Sequence, residues 1–243
     1  MTAHKVVTHE AWVAARKKHL AKEKEFTRLR DQLSRERREL PWELVQKVYA
    51  FEGEAGKQTL AEVFQGRQQL VVYHAMFNPD TAGPRTTWTP DAPCYSCSFW
   101  MDNFNGVTVH LNHRDITMVA VSLAPYPKLA AYKQRMGWTF PWLSSVGSDF
   151  NFDYHVSFTP DELKAGPVEY NYRPAPWSMS EAPGISVFFK DADGQIYHTY
   201  STYGRGLDML NVAYHYMDLV PKGRDEDDRG QGGWVHRRDE YPA

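Results

Sequence analysis

The only two cysteines of the chain, Cys94 and Cys97, are separated by two residues. A C-x-x-C pair between a strand and a helix is typical of thiol–disulfide exchange. At a helix N-terminus, unpaired backbone N–H groups and the helix dipole stabilise a thiolate and lower the pKa of the first thiol. The second thiol, one turn later, can attack the mixed disulfide and release the product. The spacing therefore predicts an oxidoreductase in which Cys94 attacks and Cys97 resolves.

The same cysteines also resemble part of a zinc site. With His110 and His113 they approach a zinc-finger pattern, although the gap between the histidines is one residue too short. If residues 97–110 form one helix, its rise of about 1.5 Å per residue separates His110 from Cys97 by about 20 Å. Four ligands could not then converge on one ion.

A different metal site stays open as an alternative function. The cysteines could bind copper or haem together with a distant histidine, either His74 or His155. A third possibility is an interaction protein without catalytic activity. The favoured prediction remains the dithiol enzyme, with no cofactor and no metal ligand.

Length and composition indicate one substantial folded core. The chain has 243 residues, 42% of them hydrophobic, and its net charge of −2 argues against a nucleic-acid-binding protein. It contains no apolar segment of the roughly 20 residues that span a bilayer, and no secretory signal. We therefore expect a soluble, cytoplasmic protein without membrane partners. In that compartment thiols are kept reduced, which disfavours a structural disulfide.

The N-terminal region reads as a long basic helix. Residues 1–40 carry 11 basic and 6 acidic side chains, a charge of +5 that leaves −7 for the rest of the chain. Residues 8–40 lack Gly and Pro, with Thr8 as the predicted N-cap and Pro41 as the stop. The seven-residue spacing of its apolar residues is incomplete. This favours a helix packed on its own domain over a coiled coil, and leaves the arm a candidate for self-association.

Beyond the arm, strands and helices alternate before a closing hairpin. The pattern predicts an α/β protein with a thioredoxin-like central mixed sheet, flanking helices, the N-terminal arm and an insertion before the last strands. The predicted domains are the arm 1–40, the thioredoxin-like domain 41–220 and a polar tail 221–243. The predicted strands are 70–77, 116–123, 183–189 and 195–201, and the predicted helices are 97–111, with Gly106 as a candidate break, 126–136 and 207–219.

Longer stretches resemble a known family. They are similar to the thioredoxin-like family catalogued as domain of unknown function 899, whose motif is usually Cys-Pro-Ser-Cys; here Tyr95 stands in place of the proline. The resemblance implies a thioredoxin-like domain with a redox role. The stretches are C-x-x-C-S-F-W (94–100), R-M-G-W-T-F-P-W (135–142), G-S-D-F-N (147–151), H-T-Y-S-T-Y (198–203) and D-L-x-P-K-G-R-D-E (218–226).

Thioredoxin-like folds place a cis-proline beside the cysteine pair, just before the third strand of the domain. Pro183 matches that position, and the resemblance implies a cis bond and a place for Pro183 in the catalytic site. One departure is the long segment 78–93 between the first strand and Cys94. Such an insertion favours a narrow substrate range over general reduction of protein disulfides.

Aromatic residues near the motif predict an apolar groove for the substrate. Tyr95 and Trp100 are the predicted substrate contacts, although core packing is the alternative for Trp100. The expected partner is a disulfide-bearing protein or a small-molecule thiol. The candidate groove residues are Trp88, Tyr95, Phe99, Trp100, Trp138 and Trp142.

Overall fold

The computed structural model of the protein describes residues 4–77, 89–226 and 232–242. Trp88 and most of the predicted loop before Cys94 lie outside these residues. The chain divides into two compact units, Met1–Pro41 and Trp42–Ala243.

The second unit carries the strands and all of the helices after the first. A 3-10 helix, Gly204–Leu210, precedes the last α-helix. The strands are β1 Glu43–Leu44, β2 Ala50–Gly53, β3 Gly56–Thr59, β4 Gln69–His74, β5 Ile116–Ser122, β6 Trp142–Ser144, β7 Val168–Glu169, β8 Pro174–Ala175, β9 Gly184–Lys190 and β10 Ile196–Tyr203. The helices are α1 His9–Arg38, α2 Leu60–Val63, α3 Tyr95–Met101, α4 Thr108–Asn112, α5 Tyr126–Met136, α6 Phe150–Asp153, α7 Pro160–Ala165 and α8 Val212–Met217.

The first unit is the predicted long helix. In α1, the Thr8 hydroxyl caps the N-terminus by accepting a 3.3 Å hydrogen bond from the Ala11 N–H. No side chain of α1 is buried, and its large apolar residues, such as Trp12 and Phe26, are exposed. A role of this helix in self-association stays a prediction. Within the described residues, no helix combines the length and apolar character needed to cross a membrane.

An eight-stranded mixed sheet forms the second unit, in the order β1-β10-β9-β4-β5-β6-β2-β3. Strands β4, β5 and β6 are parallel, while β9 runs antiparallel to both β4 and β10. Parallel strands joined by helices, followed by an antiparallel hairpin, form a thioredoxin-like sheet. This topology confirms the predicted α/β class and its central strands.

The edges of the sheet were not predicted. Strands β1, β2, β3 and β6 have two to four residues each, too few for the alternation of polar and apolar residues to stand out. β6 joins the sheet through parallel pairing with β5, and the β2–β3 hairpin extends it. Their place depends on pairing with distant strands rather than on local sequence.

Two of the predicted helices are interrupted, the first of them around the candidate break at Gly106. The helix after the cysteines ends at Met101, where the Asn103 side chain donates hydrogen bonds to the Phe99 and Trp100 carbonyls. Helix α4 then starts separately at residue 108. The predicted helix 207–219 is instead a 3-10 helix followed by α8, because the Asn211 side chain caps α8 by accepting the Ala213 N–H. Side chains that compete for backbone groups end helices in both places.

The sheet separates two apolar cores. Because successive side chains of a strand point to opposite faces, Tyr73 enters one core and Val72 the other. The core on the Tyr73 side contains both cysteines, together with Trp142 from β6. Both cysteines are therefore part of the apolar layer on one side of the sheet.

Gly184, at the start of β9, is required by close packing. A methyl group there would lie 2.8 Å from the Tyr203 ring and 3.0 Å from Val156. Both neighbours are buried, so we expect Gly184→Ala to lower the free energy of unfolding by about 1–3 kcal/mol. Urea denaturation measures the change. Gly106→Ala is the matched control, because nothing lies within 4 Å of its added methyl group; an equal loss in both variants would contradict the packing argument.

Candidate active site

The structure places Cys94 at the junction of the central sheet and α3. Cys94 is the N-cap of α3; its N–H donates to the Met76 carbonyl at 3.0 Å, and its carbonyl accepts the Ser98 N–H at 2.9 Å. Met76 follows β4 by two residues. The backbone of the first central strand thus holds the start of the helix directly, despite the long segment between them.

Both cysteines are reduced and lie side by side in the apolar core. Cys94 is 7% exposed and Cys97 1%. The Cys97 sulfur accepts the Met76 N–H at 3.4 Å. The more accessible thiol is therefore the one at the helix end, while the second faces the interior one turn later.

The two thiols have opposite pKa shifts. A hydrogen bond from the Cys97 thiol is the main cause that lowers the pKa of Cys94 to about 7. The N–H groups of Cys97 and Ser96 add to this lowering, while burial opposes it. The same hydrogen bond, together with burial, raises the pKa of Cys97 well above its ordinary value. A thiolate at neutral pH is accordingly favoured on Cys94, the residue predicted to attack.

Tyr73 is a site residue that the sequence analysis missed. Its side chain hydrogen-bonds Cys97 and, with the Met76 N–H, opposes the rise in the pKa of that thiol. Burial keeps the pKa of Tyr73 itself well above its ordinary value, so the phenol stays neutral and donates. The sequence feature that could have identified Tyr73 is its position in the first central strand, on the sheet face that carries the cysteines.

A cavity of about 320 Å³ opens onto the two cysteines. Pro183 and Trp100, both predicted site residues, line it, and Trp100 is also packed in the core at 7% exposure. Tyr95 is half-buried and is not among the described lining residues; Ser96 lines the cavity instead. Further walls come from Tyr73, Tyr170, Trp177, Leu207 and Tyr214.

The predicted cis bond before Pro183 is wrong. All peptide bonds of the described residues are trans, including this one. The Ala182 N–H donates to Val156 at 2.9 Å, and the Pro183 carbonyl accepts the Tyr170 hydroxyl at 2.8 Å. These bonds fix the approach to β9 with the trans amide, which is also the intrinsically favoured form. Pro183 still reaches the cavity wall.

The other predicted groove aromatics that the structure describes pack against core residues. Trp142 lies in the core, its indole N–H donating to Ser122 Oγ at 2.9 Å, and Trp138 is buried beside it, donating to Asp102. Phe99 packs edge-on against Trp100 and the neighbouring rings of Tyr214 and Trp234. Core packing thus accounts for these three.

A buried arginine from the C-terminal region holds the residue before Cys94. Arg237 is 3% exposed, and its Nε and Nη2 atoms donate to the Pro93 carbonyl at 3.3 and 2.9 Å. Its Nη1 pairs with Glu240 at 3.1 Å. The sequence predicts a polar tail here, since nothing in a charged segment marks one arginine for burial. The tail boundary at 221 stays a prediction.

We expect Arg237→Met to lower the free energy of unfolding by about 1–3 kcal/mol. The substitution leaves the buried Pro93 carbonyl without its donor. Urea denaturation measures the loss. The neighbouring variant Arg238→Met is the control: Arg238 is about half exposed and pairs with Asp102 at 3.3 Å, so its loss should cost under about 1 kcal/mol. Equal losses would mean that the Pro93 contact contributes nothing particular.

The histidines considered for metal binding do not gather around the thiols. His74 points to the opposite face of the sheet, stacks on Phe150 and hydrogen-bonds Ser186 at 2.9 Å. Burial lowers the pKa of His74 to about 3, so it is neutral. His155 is exposed and lines a different cavity. In the part of the chain that the structure describes, no group of three or more His, Cys, Asp or Glu side chains could hold a metal ion, His110 and His113 included.

Comparison with known proteins places the chain in a family. The model of the family described as bacterial protein of unknown function (DUF899) matches residues 1–241. The chain belongs to the DUF899 family. The resemblance inferred from the sequence is thereby confirmed over nearly the whole chain. No curated protein matches it as a relative.

This DUF899 protein is also similar to several solved structures. It matches the peroxidoxin BcpB from Mycobacterium tuberculosis at 12% identity and a TM-score of 0.42, covering 68% of this chain and 90% of that one. A mutant PrxQ from Xylella fastidiosa matches at 13% and 0.41, covering 69% and 89%. A putative thiol:disulfide interchange protein DsbE from Chlorobium tepidum matches at 12% and 0.39, covering 72% and 97%.

Proposed function

We propose that this protein is a thiol–disulfide oxidoreductase that uses Cys94 and Cys97 as a reversible dithiol–disulfide pair. The observation that carries the proposal is the asymmetry of the two thiols. Cys94, whose pKa is lowered, lines a cavity. Cys97 donates a hydrogen bond to the Cys94 sulfur from the buried side. A nucleophile and a resolving thiol in contact are what the two-step exchange requires.

The reaction conserves electrons and atoms. The Cys94 thiolate attacks one sulfur of a substrate disulfide, forming a mixed disulfide and releasing the first substrate thiolate. Cys97 loses its proton and attacks Cys94 Sγ, which forms the Cys94–Cys97 disulfide and releases the second thiolate. The protein has then given two electrons to the substrate, and an external dithiol must return them. Tyr73 supports the second step by donating to the Cys97 sulfur.

Reversible formation of the internal disulfide tests this proposal. Reduced protein is equilibrated with glutathione buffers of rising oxidised fraction, and the mass of the intact protein and a cysteine-labelling assay are recorded. We expect loss of two hydrogens, a bond between Cys94 and Cys97, full reversal by dithiothreitol and a defined reduction potential. If no internal disulfide forms at any buffer ratio, the proposal is wrong.

The remaining expectations attach to the same proposal. We place the enzyme in the cytoplasm, where the thiol pool would return the pair to its reduced form. The basic arm is proposed to serve self-association rather than chemistry. A protein that acts only by binding a partner would keep that binding after Cys94→Ser. An oxidoreductase would lose its disulfide-exchange activity.

A further inference from the structure

The polar groups on the cavity walls are already engaged within the protein. The Trp100 indole N–H donates to the Leu207 carbonyl at 2.9 Å. The Trp177 indole N–H donates to the Glu181 carbonyl at 3.1 Å. Neither indole N–H is therefore free to bind a ligand, and both side chains contribute apolar ring surface to the cavity.

The tyrosines of the cavity are engaged in the same way. Tyr170 donates its hydroxyl hydrogen to the Pro183 carbonyl at 2.8 Å and accepts the Gly204 N–H at 3.0 Å. Tyr214 donates to Glu226 at 3.1 Å. The hydroxyl hydrogens of Tyr170 and Tyr214 are therefore used within the protein, and both rings supply aromatic surface to the cavity.

Charge is scarce in the cavity. Among the described lining residues, Arg205 alone has an ionised side chain at neutral pH other than the Cys94 thiolate. Arg205 is largely exposed and is bound to Asp208, with contacts of 3.1 Å from Nε and 2.9 Å from Nη2. Away from Arg205 and the Cys94 thiolate, a substrate carboxylate or ammonium group would lose its water without gaining a charged partner among the described lining residues, which opposes binding.

Size and access point the same way. About 320 Å³ lies at the lower end of the volumes of small-molecule sites, and Cys94 is only 7% exposed. A convex surface of a folded protein has less access to so buried a sulfur than a small molecule that enters the cavity. The thiolate is reached by a molecule that fits inside.

We infer that the substrate is a small, uncharged disulfide with an aromatic or other apolar group, rather than glutathione, cystine or a protein disulfide. This inference rests on the proposed oxidoreductase function. The substrate sulfur meets the Cys94 thiolate, its apolar group stacks on Trp100 and Trp177, and both product thiols leave through the cavity. Recognition is mainly by apolar contact, because the donor groups of the described aromatic walls are used within the protein.

Rates of mixed-disulfide formation with three probes test the inference. Reduced full-length protein is mixed in a stopped-flow instrument with 4,4′-dithiodipyridine, which is neutral, with dianionic 5,5′-dithiobis(2-nitrobenzoate), and with oxidised glutathione. Each rate constant is divided by that of the 2-mercaptoethanol thiolate with the same probe, which removes intrinsic reactivity. We expect the normalised rate for the neutral aromatic probe to exceed both others by about tenfold or more.

Variants locate the preference in the cavity. Trp177→Ala should reduce the rate preference for the neutral aromatic probe severalfold. Trp177→Phe, which keeps an aromatic ring, should retain that preference. Trp12→Ala, which removes an exposed tryptophan on α1, should leave it unchanged. Equal or reversed normalised rates, or a preference untouched by Trp177→Ala, would overturn the inference while leaving the enzyme proposal intact. Failure to form the internal disulfide with any probe would instead overturn the proposed function.

Discussion

Cys94→Ser is expected to abolish disulfide exchange, whereas Cys97→Ser is expected to stop it at the mixed disulfide. A serine hydroxyl is not ionised at neutral pH, so the first variant has no nucleophile at the cavity. The second variant keeps the reactive Cys94 thiol but has no sulfur to displace the bound half of the substrate. The same substitution thus gives two different products at positions only three residues apart.

Intact-protein mass spectrometry separates these outcomes. After reaction with a small disulfide, wild-type protein should lose two hydrogens, Cys97→Ser should gain one substrate half, and Cys94→Ser should keep its mass. The adduct on Cys97→Ser should disappear with dithiothreitol. An adduct that forms as readily on Cys94→Ser would show that Cys97 is the attacking thiol, and the assigned order of the two residues would be wrong.

The second large effect concerns the pKa of Cys94. Because the strongest contribution to its lowered pKa is the hydrogen bond from the Cys97 thiol, Cys97→Ala should remove that contribution and leave burial opposed only by the weaker donors of Ser96 and the backbone. We expect the midpoint of Cys94 alkylation to move from about 7 to at least the ordinary thiol value of about 8.5. At pH 7 the alkylation rate should therefore fall by about tenfold or more.

Iodoacetamide alkylation followed across pH 5–10 measures this midpoint, with urea-unfolded protein as the reference for an ordinary thiol. Cys97→Ser is the matched variant, because its hydroxyl can still donate to Cys94 and should keep much of the shift. The direction follows from the thiolate being the form that accepts these bonds: each donor lost raises the pKa. An unchanged midpoint in Cys97→Ala would assign the shift to the backbone N–H groups at the start of α3.

Both predicted effects depend on the contact between the two cysteines. Groups from several parts of the fold hold the cysteines in place. Met76, at the end of the first central strand, contacts both cysteines through its backbone. Arg237 holds the carbonyl of the residue before Cys94 from the far end of the chain. The proposed exchange chemistry would therefore depend on the positions of these backbone groups as well as on the two sulfurs.

The sequence by itself determined the elements with strong local signals. The apolar central strands and the helix α5 were predicted correctly because their patterns are local. Helix α5 runs over the predicted residues and ends at Gly137, whose backbone is left-handed with φ of 61°. The family resemblance rested on residues equally readable from the sequence, and the match over residues 1–241 confirmed it.

Only the tertiary structure decided what surrounds the sulfur atoms. The cavity walls come from β4, α3, the segment near Trp177, the 3-10 helix and α8, which are brought together by strand pairing over long separations in sequence. No periodic pattern in the sequence indicates that Tyr73 lies beside Cys97 or that Ser96, rather than Tyr95, lines the cavity. The bond before Pro183 and the burial of Arg237 were likewise set by partners distant in the chain. Local patterns fix which residues form a strand or helix, while non-local packing fixes which side chains share a site.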